Sequence, residues 1–482
     1  MKKQAFSAFS IFTALFICSG LVSCSEDDEG SRTVAPPDPI EFAVSPTSID
    51  FEAMGGENTF EVTSGDAWTV LSDADWLSLS TESGLETSDV VVTAEANGET
   101  EERTAILTIS TEDDTQDILI TQAAAEAPPV EATIPPDETD MRALTSVELA
   151  NEIEIGWNLG NSLDAIGGET AWGNPVVNEQ LIQSVKEAGF NAIRIPVAWS
   201  KFSDEENFVI TEDWMNRVEE VVNLVLDNDM YAIVNIHWDN GWMQPTYDDE
   251  EYVNNRLEIM WQQIAINFRD YGDRLLFAGT NEVMVEGDYG TPTEEYYTVQ
   301  NGFNQTFVDA VRATGGRNHY RHLVVQGFNT NIDHTINFAE IPEDVVDDRL
   351  MMEIHYYDPY NFTLNTESNV YQWGDDASES EDWANESYVD DQFDRMKTEF
   401  IDNGIGVILG EYGAISRPNV DGHEQYRQYY MEYVTTSAME HGLVPFYWDN
   451  GDDNANGFAL FDRETGEVLY PDLLDAIIPG EE

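Results

Sequence analysis

Two glutamates stand in short contexts that a purely apolar strand would not choose. Glu282 follows Asn281, and Glu411 lies between Gly410 and Tyr412. Each comes at the end of a run of β-forming residues, and other such runs end in Asn158, Arg194, His237, His355 with Tyr357, and Trp448. A single His or Asn at a strand end is usually a satisfied structural group, but a whole set of them describes a cleft. Two carboxylates among neutral hydrogen-bonding groups, with no metal-ligand set, suit acid–base chemistry on a neutral polar substrate. Hydrolysis of a glycosidic bond needs this equipment. One carboxyl must hold a proton for the leaving oxygen while the other is ionised to attack the anomeric carbon, so their surroundings must separate their pKa values. An arginine beside one of them would keep it ionised. Trp157, Trp172, Trp238, Trp242 and Trp448 offer flat faces for sugar rings, though some of them must belong to the core.

These side chains need a frame that gathers strand ends. Eight apolar runs are predicted as strands, at 153–158, 192–197, 232–237, 275–281, 323–329, 351–357, 406–411 and 445–450. Amphipathic stretches such as 178–188, 213–227, 253–271 and 295–314 lie between them. Strand–helix alternation with strands apolar on both faces argues for a parallel sheet covered by helices. Eight units favour an α/β (β/α)8 TIM barrel, in which the catalytic groups sit at the C-terminal ends of the strands. No GxGxxG or phosphate-loop pattern follows any strand, which disfavours nucleotide-binding folds.

The chain has 482 residues, with 94 Asp+Glu against 21 Lys+Arg, a formal charge of −73. That charge disfavours nucleic acid and anionic surfaces as partners, because neutralising phosphates requires cations. Twelve Trp, 20 Tyr and 22 Phe exclude disorder for most of the length. Ahead of the barrel, 40–122 carries short β-forming runs separated by turn signals, which predicts a small all-β sandwich domain. The Pro- and Ala-rich stretch 123–140 reads as a linker. Lys2 and Lys3 precede an apolar stretch, 5–22, that reads as an export signal, and 24–39 reads as an acidic tether. Cys18 and Cys24 are the only cysteines, so no disulfide or thiolate site is expected in the body of the protein.

Three resemblances sharpen this reading. Leu21-Val22-Ser23-Cys24 resembles the lipobox of bacterial lipoproteins, which implies signal peptide 1–23 and lipidation of Cys24. Val44-Ser45-Pro46-Thr47, Trp68 with Trp76, Arg103-Thr104-Ala105 and Ile120-Thr121-Gln122 resemble BACON modules, a family whose name implies carbohydrate binding. Both tryptophans read more readily as core than as sugar platforms. From about Met141 to the end, the chain resembles glycoside hydrolase family 5, in the branch holding endoglucanases and xyloglucanases. The carrying motifs are 156–165 (GWNLGNSLDA), Ile193-Arg194-Ile195-Pro196, Asn235-Ile236-His237, Asn281-Glu282, His355-Tyr356-Tyr357, Gly410-Glu411-Tyr412-Gly413 and Trp448-Asp449-Asn450-Gly451.

The resemblance implies Glu282 as general acid/base and Glu411 as nucleophile of a retaining pair, with their carboxyl groups about 5–5.5 Å apart. It implies that Asn281 holds the sugar 2-hydroxyl, that Arg194 and Tyr357 orient Glu411, and that His237 and His355 bond the sugar or the carboxyl pair. Trp448 would lie beneath the reacting ring. Asn158 and Trp238 complete the expected substrate-binding set. Val283 stands where the family usually has Pro, Trp238 where relatives often have a second His, and Ser162 where Thr is common. Asp452-x-Asn454-x-Asn456-Gly457 imitates half of a calcium loop, but its twelfth position is Arg463, so no metal is expected there.

The expected protein is a retaining endo-β-1,4-glucanase without a cofactor, acting on β-glucan polysaccharide or oligosaccharide, with xyloglucan a candidate substrate. It is expected to be a monomer, exported and held by a lipid anchor in the outer membrane, facing the medium. A β-mannanase, a catalytically inactive sugar-binding surface protein and an adhesion scaffold are the alternatives.

Overall fold

The computed structural model describes residues 40–97, 102–124 and 132–478, which fall into two compact units on either side of residue 130. The signal, tether and Cys24 expectations lie outside the described residues. Among the described residues, no helix is long and apolar enough to cross a membrane.

The first unit is a sandwich of two sheets. One has four strands, in the order Ala43–Ser45, Gly56–Thr63, Ser88–Ala94, Leu77–Leu79. The other has five, in the order Ser48–Phe51, Thr115–Gln122, Arg103–Ser110, Trp68–Ser72, Ser83–Gly84. Alternate residues turn inward, so Phe60, Val62, Val90 and Val92 of one sheet and Val70, Leu107, Ile109, Ile118 and Ile120 of the other form one core. Trp68 is buried in that core and donates Nε1–H to the Glu86 carbonyl at 3.0 Å. Trp76 is half-buried with the Arg103 guanidinium 4.3 Å from its ring centre. Both tryptophans therefore serve the packing of this unit.

The second unit is a closed barrel of eight parallel strands, Gly156–Leu159, Ala192–Ile195, Tyr231–Asn235, Leu275–Ala278, Leu323–Gln326, Leu350–Tyr356, Gly406–Tyr412 and Leu443–Asp449. Each is followed by a covering helix, in order Glu179–Glu187, Glu212–Asp227, Glu250–Asn267, Glu294–Ala313, Ile332–Phe338, Glu386–Glu399, His423–Glu440 and Pro471–Ile477. All eight expected strands are present. The first starts at Gly156 and not at residue 153, because Ser146–Glu152 is helical and begins with a capping box in which Thr145 and Glu148 each bond the other's backbone. That helix closes the bottom of the barrel. Its Leu149 and Ala150, with Ile153, pack on the inward-facing Ala192, Ile233, Leu276, Val324, Met351, Ile408 and Phe446. Gly156 leaves the space the Phe446 ring fills, since a Cβ there would lie 2.1 Å from that ring.

Part of the stretch expected as linker lies along the barrel unit. Ile134–Pro136 pairs in parallel with Gly315–Gly316, and Thr133 Oγ1 donates to the Ala313 carbonyl at 2.9 Å. Gly315 is required there. Its φ is +70°, and a Cβ would stand 1.8 Å from the Ile134 carbonyl oxygen.

Candidate active site

Above the apolar layer, the inward-facing residues turn polar. Arg194, two residues beyond Ala192, is fully buried and forms ion pairs with Glu411 at 2.9 Å and Glu353 at 3.0 Å. It also donates to Asn158 Oδ1 at 2.9 Å and Asn281 Oδ1 at 2.5 Å. Three charges removed from water need this much compensation, because an unpaired one would cost several kcal/mol.

Glu353 was missed by the sequence reading. It lies on the sixth strand two residues before His355, is fully buried, and accepts from His355 Nε2 at 3.1 Å. A charged residue inside the apolar run 350–354 was the available signal, since such a residue demands a partner. Glu353 also explains Gly410: a Cβ at that position would lie 2.1 Å from Glu353 Oε1.

The two expected carboxylates do converge. His355 Nδ1 lies 2.8 Å from Glu282 Oε1 and 3.7 Å from Glu411 Oε2. One oxygen of Glu282, one of Glu411 and one nitrogen of His355 all stand within 4.8 Å of one another. A gap this narrow suits direct attack by one carboxylate, whereas an inverting pair leaves room for a water between them. Tyr357 donates its hydroxyl to Glu411 Oε2 at 3.2 Å.

Glu282 sits just past the fourth strand, which ends at Ala278, and its φ is +47°. The left-handed region is costly for a non-glycine residue and is characteristic of functional positions. Its amide donates to Gln326 Oε1 at 3.1 Å, and the Val283 carbonyl accepts from Asn329 N at 2.9 Å, so the turn is held without the family's usual proline.

Several expected site residues have other positions than a sugar-binding role requires. Asn158 is fully buried, and its Nδ2 donates to the carbonyls of Gly410 (2.8 Å), Phe446 (3.2 Å) and Tyr447 (3.3 Å). Asn158 thus bonds Arg194, and Arg194 bonds Glu411, with both side chains fully enclosed. Trp157 is core, donating to Asp449 at 3.1 Å. Trp242 is half-buried, bonded to Asp239 at 2.9 Å and covered by Arg256 at 4.4 Å. Trp238 is exposed at the rim, and Trp448 is half-buried and stacked parallel to His237, with ring centres 5.8 Å apart. Burial and the charges of Arg194 and His355 hold the His237 pKa well down, so it stays neutral.

His355 stands at the centre of the charge balance among the three carboxylates. Burial lowers the His355 pKa, but Glu411, Glu282 and Glu353 outweigh it and raise the group to about 9, so at neutral pH it is an imidazolium donating from both nitrogens. Burial pushes Glu411 up to about 7, against the pull of His355 and Arg194. Burial would also raise Glu282, but the His355 hydrogen bond and charge hold it below the usual range. Glu282 is 40% exposed. A ligand covering it would remove that water and raise its pKa. Glu282, His355 and Glu411 are also the one His–carboxylate group within metal-binding reach among the described residues.

A raised His355 pKa makes stability depend on pH. The folded value, about 9, lies above the ordinary 6.5, so the contribution is complete below about pH 6.5 and is lost as pH rises through about 9. The loss should reach about 3 kcal/mol. Melting curves from pH 6 to 10 should show the wild type losing its advantage over His355→Asn across that window. Parallel curves would mean the imidazolium is not what holds the three carboxylates.

The chain is similar to several known proteins. The family described as Cellulase (glycosyl hydrolase family 5) matches residues 158–454, and the Viral BACON domain family matches residues 41–125. The chain is 40% identical to a xyloglucan-specific endo-β-1,4-glucanase of Bacteroides ovatus, over 100% of both chains. It is 37% identical to endoglucanase A of Paenibacillus barcinonensis, over 71% of this chain and 91% of that one. Among solved structures, the B. ovatus family 5 xyloglucanase in complex with an XXXG heptasaccharide superposes with a TM-score of 0.70 at 40% identity, covering 91% of this chain and 99% of that one. A broad-specificity endoglucanase from Ruminococcus champanellensis with bound cellotriose gives 0.65 at 38% identity, covering 70% and 99%.

Proposed function

We propose that this chain, which belongs to glycosyl hydrolase family 5 and carries an N-terminal BACON domain, is a retaining endoglucanase whose preferred substrate is xyloglucan. The observation that carries the retaining mechanism is the narrow Glu282–Glu411 gap with His355 between the two carboxyls. Glu411 attacks the anomeric carbon while Glu282 protonates the leaving oxygen; Glu282 then takes a proton from the water that releases the sugar. Arg194 and Tyr357 hold Glu411 on its trajectory, and Asn281, whose Oδ1 is fixed by Arg194, faces the reacting ring. The full-length likeness to a xyloglucan-specific enzyme favours the branched glucan. The likeness to broad-specificity endoglucanases favours a second reading, in which linear and mixed-linkage β-1,4-glucans are cut comparably.

Release of reducing ends from xyloglucan, barley β-glucan and mannan tests both readings. Xyloglucan is expected to be cut fastest. Equal rates on β-glucan would favour the broad reading, and mannan as the best substrate would sink both.

The same proposal places the protein on the cell surface, anchored through Cys24, because Leu21-Val22-Ser23-Cys24 follows a charged and then apolar leader. Cys24→Ala should move the protein from the membrane pellet to the soluble fraction. A variant that still pellets would show that lipid is not the anchor.

A further inference from the structure

The loop after the eighth strand carries the pattern that imitates half of a calcium site, and its twelfth residue, Arg463, is 5% exposed. Among the described residues, all hydrogen bonds of this side chain come from one guanidinium nitrogen, Nη2. It donates to the Asp449 carbonyl at 2.6 Å, to Asp449 Oδ1 at 3.0 Å and to the Gly160 carbonyl at 3.2 Å. The Trp157 ring covers the guanidinium, with its centre 4.6 Å away. Nε and Nη1 are buried and have no partner among the described residues. Buried N–H groups without acceptors are destabilising, so the fold bears a cost here that a purely structural strut would avoid.

The oxygens that Arg463 grips lie at two neighbouring strand ends. Asp449 ends the eighth strand directly after Trp448, and Gly160 directly follows the first, with Asn158 paired opposite Trp448. The Gly160 amide donates to the Asp449 carbonyl at 3.0 Å. A Cβ on Gly160 would stand 2.8 Å from Trp448 Cζ2, so the indole lies against that bare backbone. Asn174 Nδ2 ties the same two strand ends, donating to the carbonyls of Asn161 at 2.9 Å and Asn450 at 3.0 Å. The Asp449 carboxylate has four other donors, Trp157 Nε1 and the amides of Gly451, Leu460 and Phe461, so it stays fixed without Arg463. What Arg463 adds is a cation that holds both strand ends at once, and with them the seat of the indole.

We infer that Arg463 is a positioning residue for glucan hydrolysis: acting through Gly160 and Asp449, it sets the Trp448 indole against the sugar ring that Glu411 attacks. The inference rests on the endoglucanase reading above. In that reading Trp448 lies beneath the reacting ring, on the strand next to the one that bears Glu411. The reacting ring distorts as the leaving oxygen departs. A surface that fits the distorted ring stabilises the transition state more than the bound substrate. A displaced indole therefore lowers kcat more than it raises KM, because the sugars on either side of the reacting ring still bind.

Initial rates of the full-length enzyme on barley β-glucan provide the test. Arg463→Met, checked for folding by circular dichroism, should lower kcat about tenfold while KM stays within about twofold. Arg463→Lys should keep most of the activity, because a single ammonium can reach the oxygens that Nη2 alone now bonds. The Trp448→Ala background supplies a reading that a merely structural role would not move. There Arg463→Met should change kcat little, because the group it positions is gone. Should Arg463→Met not fold, Arg463→Gln, which keeps a polar end without the charge, goes through the same comparison. The inference is overturned if the folded variant has the wild-type kcat, if Arg463→Lys is as impaired as Arg463→Met, or if the same loss recurs in the Trp448→Ala background. A wild type that releases no reducing ends from any glucan would overturn the endoglucanase reading along with it.

Discussion

Glu411→Ala is expected to lower kcat/KM on polysaccharide on the order of 10⁴-fold or more, because no other side chain can form the covalent intermediate. Added azide should restore turnover through the space the carboxylate leaves, and the product should be the α-glycosyl azide, since one displacement inverts the anomeric centre. Glu282→Ala should behave differently. Substrates with good leaving groups need no proton, so they should still glycosylate Glu411. Azide should then release the β-glycosyl azide after a second displacement. Proton NMR of the two azides decides the matter. If the products appear the other way round, the two roles are exchanged. If the wild-type product is inverted, double displacement itself is wrong.

The second large effect is expected at a residue that does not touch substrate. Arg194→Met leaves Glu353 and Glu411 in place with their shared guanidinium gone, although both carboxylates remain almost wholly enclosed. Removing one partner of a buried ion pair costs about 3–5 kcal/mol, and here two carboxylates lose theirs. Urea unfolding should register that loss. The pH profile separates positioning from mere stability. Without the positive charge, the ionised form of Glu411 is disfavoured, so its pKa rises and the acid limb of kcat/KM moves to higher pH. A variant that is destabilised but keeps the wild-type limb would show that Arg194 supports the fold without setting the charge on Glu411. Glu353→Gln supplies the converse: Arg194 would then face Glu411 alone, and the acid limb should move to lower pH.

The barrel was legible because its strands are buried on both faces and read as apolar runs, and because helices of period 3.6 separate them. Helix boundaries such as Glu212–Asp227 and Glu294–Ala313 fell within about a residue of expectation, since acidic first turns and capping residues mark them. The side chains that could do chemistry were legible as polar residues at apolar strand ends, and Glu282, Glu411, His355 and Tyr357 do meet there.

The chain alone thus determined which residue types lie at the rim, because that follows from local pattern and strand order. Only the tertiary structure decided how they divide the work. Burial and partners belong to the closed barrel and not to any segment of it. Asn158 was expected to bind sugar and is enclosed by the seventh and eighth strands. Glu353 was read as part of a strand and proved to be the second anion of Arg194. The proton balance between Glu282 and Glu411 depends on His355 standing 2.8 Å from one and 3.7 Å from the other. Coulomb and desolvation energies depend on distance and enclosure, and residues 129 positions apart in sequence acquire both only when the sheet closes.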